Sequence, residues 1–128
     1  MSDRRTVHTS RAPDALGPYS QAIVGAGLVH CSGQIAIDPA SGDLVQGDVT
    51  AQAEQALANL RAVLEAAGSG VEFVLKCNVY LADMGDFSAV NEVYARTFSG
   101  DAPPARACIE ARLPKGARIE IDCVALAR

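Results

Sequence analysis

The chain is poor in the groups that mark most kinds of site. It has no Trp, three Tyr, three Phe and only two His, at positions 8 and 30. Its four cysteines, Cys31, Cys77, Cys108 and Cys123, stand singly, with no C-x-x-C pair and no histidine at ligand spacing. That excludes the common zinc signatures, so no metal is expected. Thiols scattered through apolar, strand-like segments read instead as reduced packing groups of a cytoplasmic protein. No apolar run is long enough to span a bilayer, and Met1-Ser2-Asp3-Arg4-Arg5 lacks the hydrophobic stretch of a signal peptide, so no membrane partner is expected. Positive charge is in deficit: 11 Lys and Arg against 15 Asp and Glu, a net charge of −4. Scattered cations on an acidic chain make no phosphate-tracking stripe, which disfavours nucleic acid as a partner. Phosphate loops, dinucleotide fingerprints and serine elbows are missing as well.

What remains is an ordinary globular composition in 128 residues, 49% of them hydrophobic. One domain, residues 1–128, is expected, with 1–12 as a polar lead-in. Alanine and glycine are abundant, so each residue buries little area, and the domain gains from covering surface by self-association.

Periodicity supplies the elements. Residues 19–24 and 28–37 are strand-like and joined by Gly25-Ala26-Gly27, a hairpin signal. From Thr50 the period changes: Ala53, Ala56, Leu57, Leu60, Val63, Leu64 and Ala67 form one helical stripe, with Thr50 as N-cap and Gly68 at the C′ position. Residues 73–82 alternate again, with Leu75, Cys77, Val79 and Leu81 on one face. Asp86 caps a second helix that carries Phe87, Val90, Tyr94 and Phe98, and Gly100 and Pro103-Pro104 end it. Two strands follow, 105–113 and 118–127, around the turn Leu113-Pro114-Lys115-Gly116. The order ββαβαββ predicts an α+β fold, a mixed sheet with two helices on one face.

In the last two strands, alternation sets Ala107, Ile109, Ala111 and Leu113 against Arg106, Cys108, Glu110 and Arg112. It likewise sets Ile119, Ile121, Cys123 and Ala125 against Glu120 and Asp122. With the apolar faces under the helices, Arg106 and Glu120 are expected together on the other face. A guanidinium beside a carboxylate in a cleft suits a small anionic substrate, the one binding it in bidentate fashion and the other handling water or a proton. Such a pair is more often a structural ion pair, and pattern alone does not separate the two readings. Gly33, between Ser32 and Gln34, signals a bulge or a close backbone approach. Tyr19 by default packs, Asn91 sits uncomfortably on an apolar stripe, and Cys108 has no nearby histidine to activate it.

Ala15-Leu16-Gly17-Pro18-Tyr19-Ser20-Gln21-Ala22, Cys31-Ser32-Gly33-Gln34-Ile35 and Asp86-Phe87-Ser88-Ala89-Val90-Asn91 resemble the RidA (YjgF-type) family, the reactive intermediate deaminases. So do Pro104-Ala105-Arg106-Ala107-Cys108 and Leu113-Pro114-Lys115-Gly116 leading into Ile119-Glu120-Ile121-Asp122. The likeness runs in order from about Ala12 to the C-terminus. It implies a chorismate-mutase-like fold and a homotrimer with a barrel-like core and sites between subunits. The activity implied is hydrolysis of 2-aminoacrylate and related 2-imino or enamine acids to 2-keto acids and ammonia, without a cofactor. By the same likeness Arg106 clamps the substrate carboxylate, Glu120 positions water, the Cys108 backbone holds ligand, and Tyr19, Ser32, Gly33 and Asn91 line the cleft. Between Cys108 and Leu113 the chain is one residue shorter than the family pattern, which bears on the facing of 110–113. A non-catalytic small-carboxylate-binding regulatory trimer and a pathway-specific deaminase relative are the alternative functions.

Overall fold

The computed structural model describes residues 3–128, and the fold is set by how far two helices can shield a six-stranded sheet. The strands are β1 (Arg4–Val7), β2 (Ala22–Gly25), β3 (Leu28–Gln34), β4 (Val74–Leu81), β5 (Ala105–Glu110) and β6 (Ile119–Leu126). The helices are α1 (Val49–Ala66) and α2 (Phe87–Thr97). The sheet order is β1-β2-β3-β6-β4-β5. Only β4 and β5 run parallel, because α2 forms the crossover between them. The mixed α+β architecture is the expected one. Among the described residues no helix is long and apolar enough to cross a membrane.

The core lies between one sheet face and the helices. The α1 stripe is buried throughout, and it meets Val29 and Cys31 of β3, Cys77, Val79 and Leu81 of β4, and Ile119, Ile121, Cys123 and Ala125 of β6. Cys31, Cys123 and Cys77 are cross-strand neighbours in one row, buried as free thiols. Burial pushes Cys77 up to about 11, so it packs as a neutral thiol. Helix α1 ends as expected: Gly68 takes a positive φ, its N–H reaches Glu65 O, and the Ser69 N–H reaches Leu64 O, which satisfies the last carbonyls.

Several expectations are corrected. The polar lead-in contains β1, which pairs with β2 from Arg4/Gly25 to Val7/Ala22. Three of its four side chains are exposed, so main-chain pairing rather than an apolar pattern holds it. The second strand starts at Ala22 instead of 19, because Gln21 turns inward. Its buried amide accepts from Thr9 N and donates to Thr9 O and Pro13 O, tying the 9–13 segment down. Asp48, not Thr50, caps α1, its Oδ1 accepting from Ala51 N at 2.9 Å. Asp86 sits at the start of α2 but makes no capping bond, since Arg118 Nη2 takes both its oxygens at 3.1 Å. A register shift between Val74 and Lys76 turns Leu75 outward, 44% exposed, and buries Val74 instead. Strand β5 also faces opposite to expectation. Its Cys108 packs toward the helices, while Ala107 and Ile109 are exposed. As the outermost strand it is covered only by α2, so its apolar face has nothing to pack under.

Loop 35–48 is held by two buried amides of α1, Gln52, which donates to Val45 O at 3.4 Å, and Asn59. Asn59 of α1 donates to Ile37 O at 2.8 Å and Ile35 O at 3.2 Å, and accepts from Gln55. Asn59→Ala removes one of two donors from Ile35 O, which also accepts from Ile37 N, and the side-chain donor from Ile37 O. Urea denaturation is expected to show a loss of about 2–4 kcal/mol. A loss well under ~1 kcal/mol would mean the loop does not depend on this amide.

Candidate active site

The β4–β5 register, Cys77 opposite Arg106 and Val79 opposite Cys108, sends Arg106 to the helix side of the sheet. There its guanidinium carbon lies 4.8 Å from the Tyr94 ring centroid and 5.4 Å from that of Phe87. Its Nη1 donates to Asn91 Oδ1 at 2.6 Å. Phe87, Asn91 and Tyr94 are spaced i, i+4, i+7 on α2, so one helix face presents all three. The Arg118–Asp86 pair fastens the start of that helix to the start of β6. Cation–π contact on two rings and one charge-assisted hydrogen bond fix the plane of the guanidinium. Among the described residues no carboxylate pairs with Arg106. An open depression of about 590 Å³ lies beside it, bounded by Asn91, Tyr94, Phe98, Pro103 and Pro104.

Beneath the guanidinium, Tyr94 Oη is buried with no hydrogen-bond partner among the described residues, and the Cys77 thiol is its polar neighbour. Burial, then that thiol, raises the Tyr94 phenol, so it stays neutral under the cation. Burial also raises the Cys108 thiol, opposed by the Arg106 charge, which argues against a thiolate nucleophile.

Glu120 belongs to the other face. Alternation along β6 buries Ile119 and Ile121 and turns Glu120 and Asp122 away from the helices. Glu120 lines a cleft of about 460 Å³ with Tyr19, Ser32, Gly33, Leu16, Lys115 and Ile37. The expected bulge is present: the β3–β6 register shifts between Cys31 and Gln34, around Ser32 and Gly33. The missing Cβ of Gly33 allows a close approach, since a methyl there would displace the Glu120 carboxyl group from its present position. The Ser32 hydroxyl donates to Ser20 O and its N–H to Gln21 O, so Ser32 shapes the cleft by holding the loop that carries Tyr19. Tyr19 itself is 55% exposed at the rim rather than packed. Burial, and then the Asp122 charge, raise Glu120 above the ordinary carboxylate range.

The expected common face for Arg106 and Glu120 is therefore overturned. Asn91, Arg106 and Cys108 gather on the helix side, and Tyr19, Ser32, Gly33 and Glu120 on the open side, with the sheet between them. Sequence reasoning did not single out Phe87, Tyr94 or Lys115. The signal for the first two was Asn91 on an apolar stripe, a polar group with a reason to be there. Lys115 lies at the cleft with φ of 58°, a strained conformation for a side-chain-bearing residue.

A six-stranded mixed sheet with two helices on one face, carrying a guanidinium on the helix side and a carboxylate on the open side, defines the class: a small α+β sheet protein. The Endoribonuclease L-PSP family model matches residues 9–127. Protein DfrA of Myxococcus xanthus is 52% identical over 126 residues, covering 96% of this chain and 95% of that protein. The 2-iminobutanoate/2-iminopropanoate deaminase of Homo sapiens is 48% identical over 123 residues, covering 96% and 90%. The crystal structure of YyfA from Yersinia pestis, of the conserved Rid protein family, superposes with a TM-score of 0.95 at 41% identity, covering 98% and 100%. The chain belongs to the RidA (YjgF-type) family.

Gly33→Ala is expected to leave the thermal midpoint nearly unchanged, because the atoms its methyl meets are the movable end of a side chain. A crystal structure of the variant should show Glu120 rotated out of the cleft. Glu120 unmoved would contradict the close fit.

Proposed function

We propose that the chain hydrolyses 2-imino acids, and the enamines such as 2-aminoacrylate that tautomerise to them, to 2-keto acids and ammonia. The observation that carries the reading is Arg106: a guanidinium over two rings and bonded to Asn91, with no ion pair among the described residues, beside an open depression. That is a pre-organised carboxylate receptor, and the human relative at 48% identity bears the name of an imine deaminase. Protein DfrA, at 52%, bears no activity in its name, so the reaction rests on the site rather than on identity.

Glu120 completes the chemistry only if a second copy brings its open face against the first chain's Arg106. We infer a homotrimer with sites between subunits, a reading supported by exposed Ile109 and Ala107 on the uncovered sheet face. In such a cleft Arg106 holds the carboxylate of R–C(=NH)–COO⁻. The partner's carboxylate takes a proton from water as oxygen adds to the imine carbon and passes it to the imine nitrogen, giving the carbinolamine R–C(OH)(NH2)–COO⁻. Moving the hydroxyl proton to nitrogen through the same carboxylate then breaks the C–N bond as C=O forms, releasing ammonia and the keto acid. An imine is already electrophilic, so one positioned base, typically worth ~10²–10⁴-fold, beside carboxylate anchoring is sufficient. Neither step calls for a cofactor.

Imine formed by an amino-acid oxidase, with keto-acid release followed spectroscopically, tests this. Arg106→Lys should lower kcat/KM by about 10- to 100-fold, since an ammonium offers no planar fork and charged hydrogen bonds are worth roughly 1.5–3 kcal/mol. A near-normal rate would remove Arg106 from the reaction, and binding without turnover in the unaltered protein would favour a regulatory carboxylate-binding trimer.

The base must be ionised to act, and its pKa is raised. Activity should therefore fall, as pH decreases, at a higher pH than an ordinary glutamate would give. A pH–rate profile with no acid limb above the usual glutamate range would contradict this assignment.

A further inference from the structure

The open face of the sheet carries a polar cluster that neither the Arg106 group nor the Glu120 cleft uses. Asp122 Oδ1 accepts from Asn78 Nδ2 and its Oδ2 from Tyr80 Oη, both at 2.9 Å. Asn78 is directly opposite Asp122 across the β4–β6 pair, but Tyr80 is opposite Glu120. The phenol thus passes over its own cross-strand partner and reaches diagonally to the next carboxylate. Among the described residues no donor is left on Glu120, which lies against Gly33 and faces the cleft.

We propose that Asp122 is a positioning residue for Glu120, drawing the Tyr80 phenol and the Asn78 amide onto itself so that the Glu120 carboxylate meets the cleft without an internal donor. The inference rests on Glu120 acting as the base proposed above. A carboxylate that already accepts a strong internal hydrogen bond is a weaker base, and one without it keeps its lone pairs for water. A fixed negative neighbour acts in the same direction by disfavouring the second charge, adding to the larger upward push that burial exerts on Glu120. Other groups facing Glu120 do not replace this. From β5, Ala107 and Ile109 are neutral, and Ser32 and Gly33 of β3 do not titrate. Tyr80 of β4 is itself raised by burial and by its bond to Asp122, so it stays a phenol. Lys115 and Asp14 lie across the cleft with opposite charges. His30 and Lys76 both pair with Val124, two rows further along the face.

Three variants test it in the full-length protein: Asp122→Asn, Asp122→Ala and Asp122→Ala combined with Tyr80→Phe. ¹³C-carboxyl NMR titration, with the Glu120 signal assigned by its loss in Glu120→Gln, is read beside the pH–rate profile. Asp122→Asn should move the Glu120 titration and the acid limb to lower pH. Plateau kcat should drop about three- to tenfold, a small part of the ~10²–10⁴-fold a positioned base supplies. Asp122→Ala frees Tyr80 to bond Glu120 and should move both further, and adding Tyr80→Phe should bring them part of the way back. A merely structural role would change stability without this order. If Glu120 titrates alike in all variants, the inference fails while the base role stands. An acid limb that survives Glu120→Gln overturns the base role and, with it, the inference. Asp122→Asn, being nearly isosteric, carries the test by itself if the alanine variants do not fold.

Discussion

The pleat of a β-sheet sends neighbouring side chains to opposite faces, and this one constraint governs where the chemistry sits. A single row of cross-strand neighbours crosses all six strands: Val7, Ala22, Cys31, Cys123, Cys77 and Arg106. Its inner members are small, apolar or thiol, and they lie under the helices. The last stands on the outermost strand, where only α2 reaches it, so a charge is tolerated at the end of an otherwise apolar row. One residue's change of phase would move Arg106 onto the open face and away from its aromatic clamp. The β4–β5 pairing keeps that phase, running without a shift from Lys76/Ala105 to Leu81/Glu110.

The two polar clusters are built on different physical terms. On the helix side, two rings and an amide restrict the orientation of the cation, so its side chain keeps little freedom. On the open side the carboxylate is held by proximity: a bulge, a glycine without a Cβ and a fixed neighbouring charge. The first arrangement restricts a cation, and the second keeps a carboxylate partly desolvated and basic. On the proposed function, self-association would join the two and so serve the chemistry as well as the burial of small apolar side chains.

Much of this was legible in residue order. The α1 stripe, the Gly68 terminus, the buried face of β6 and the bulge at Ser32-Gly33 follow from local periodicity and from glycine placement. The elements misread share a physical cause. β1 depends on an edge offered by β2, and the Asp86 side chain on Arg118, thirty-two residues away. Leu75 is displaced by a register shift that only its partner strand reveals. β5 alternates as regularly as any strand, but alternation does not say which face the helices cover.

By itself, the amino-acid sequence determined most of the elements and the family. It did so because helical and strand periods, caps and turn residues act over a few positions. Only the tertiary structure decided that Arg106 and Glu120 stand on opposite faces, that Phe87 and Tyr94 grip the guanidinium, and that Tyr80 bonds Asp122 rather than Glu120. Those outcomes depend on strand order, parallel or antiparallel pairing and helix coverage, which join residues far apart in the chain and leave no local mark on it.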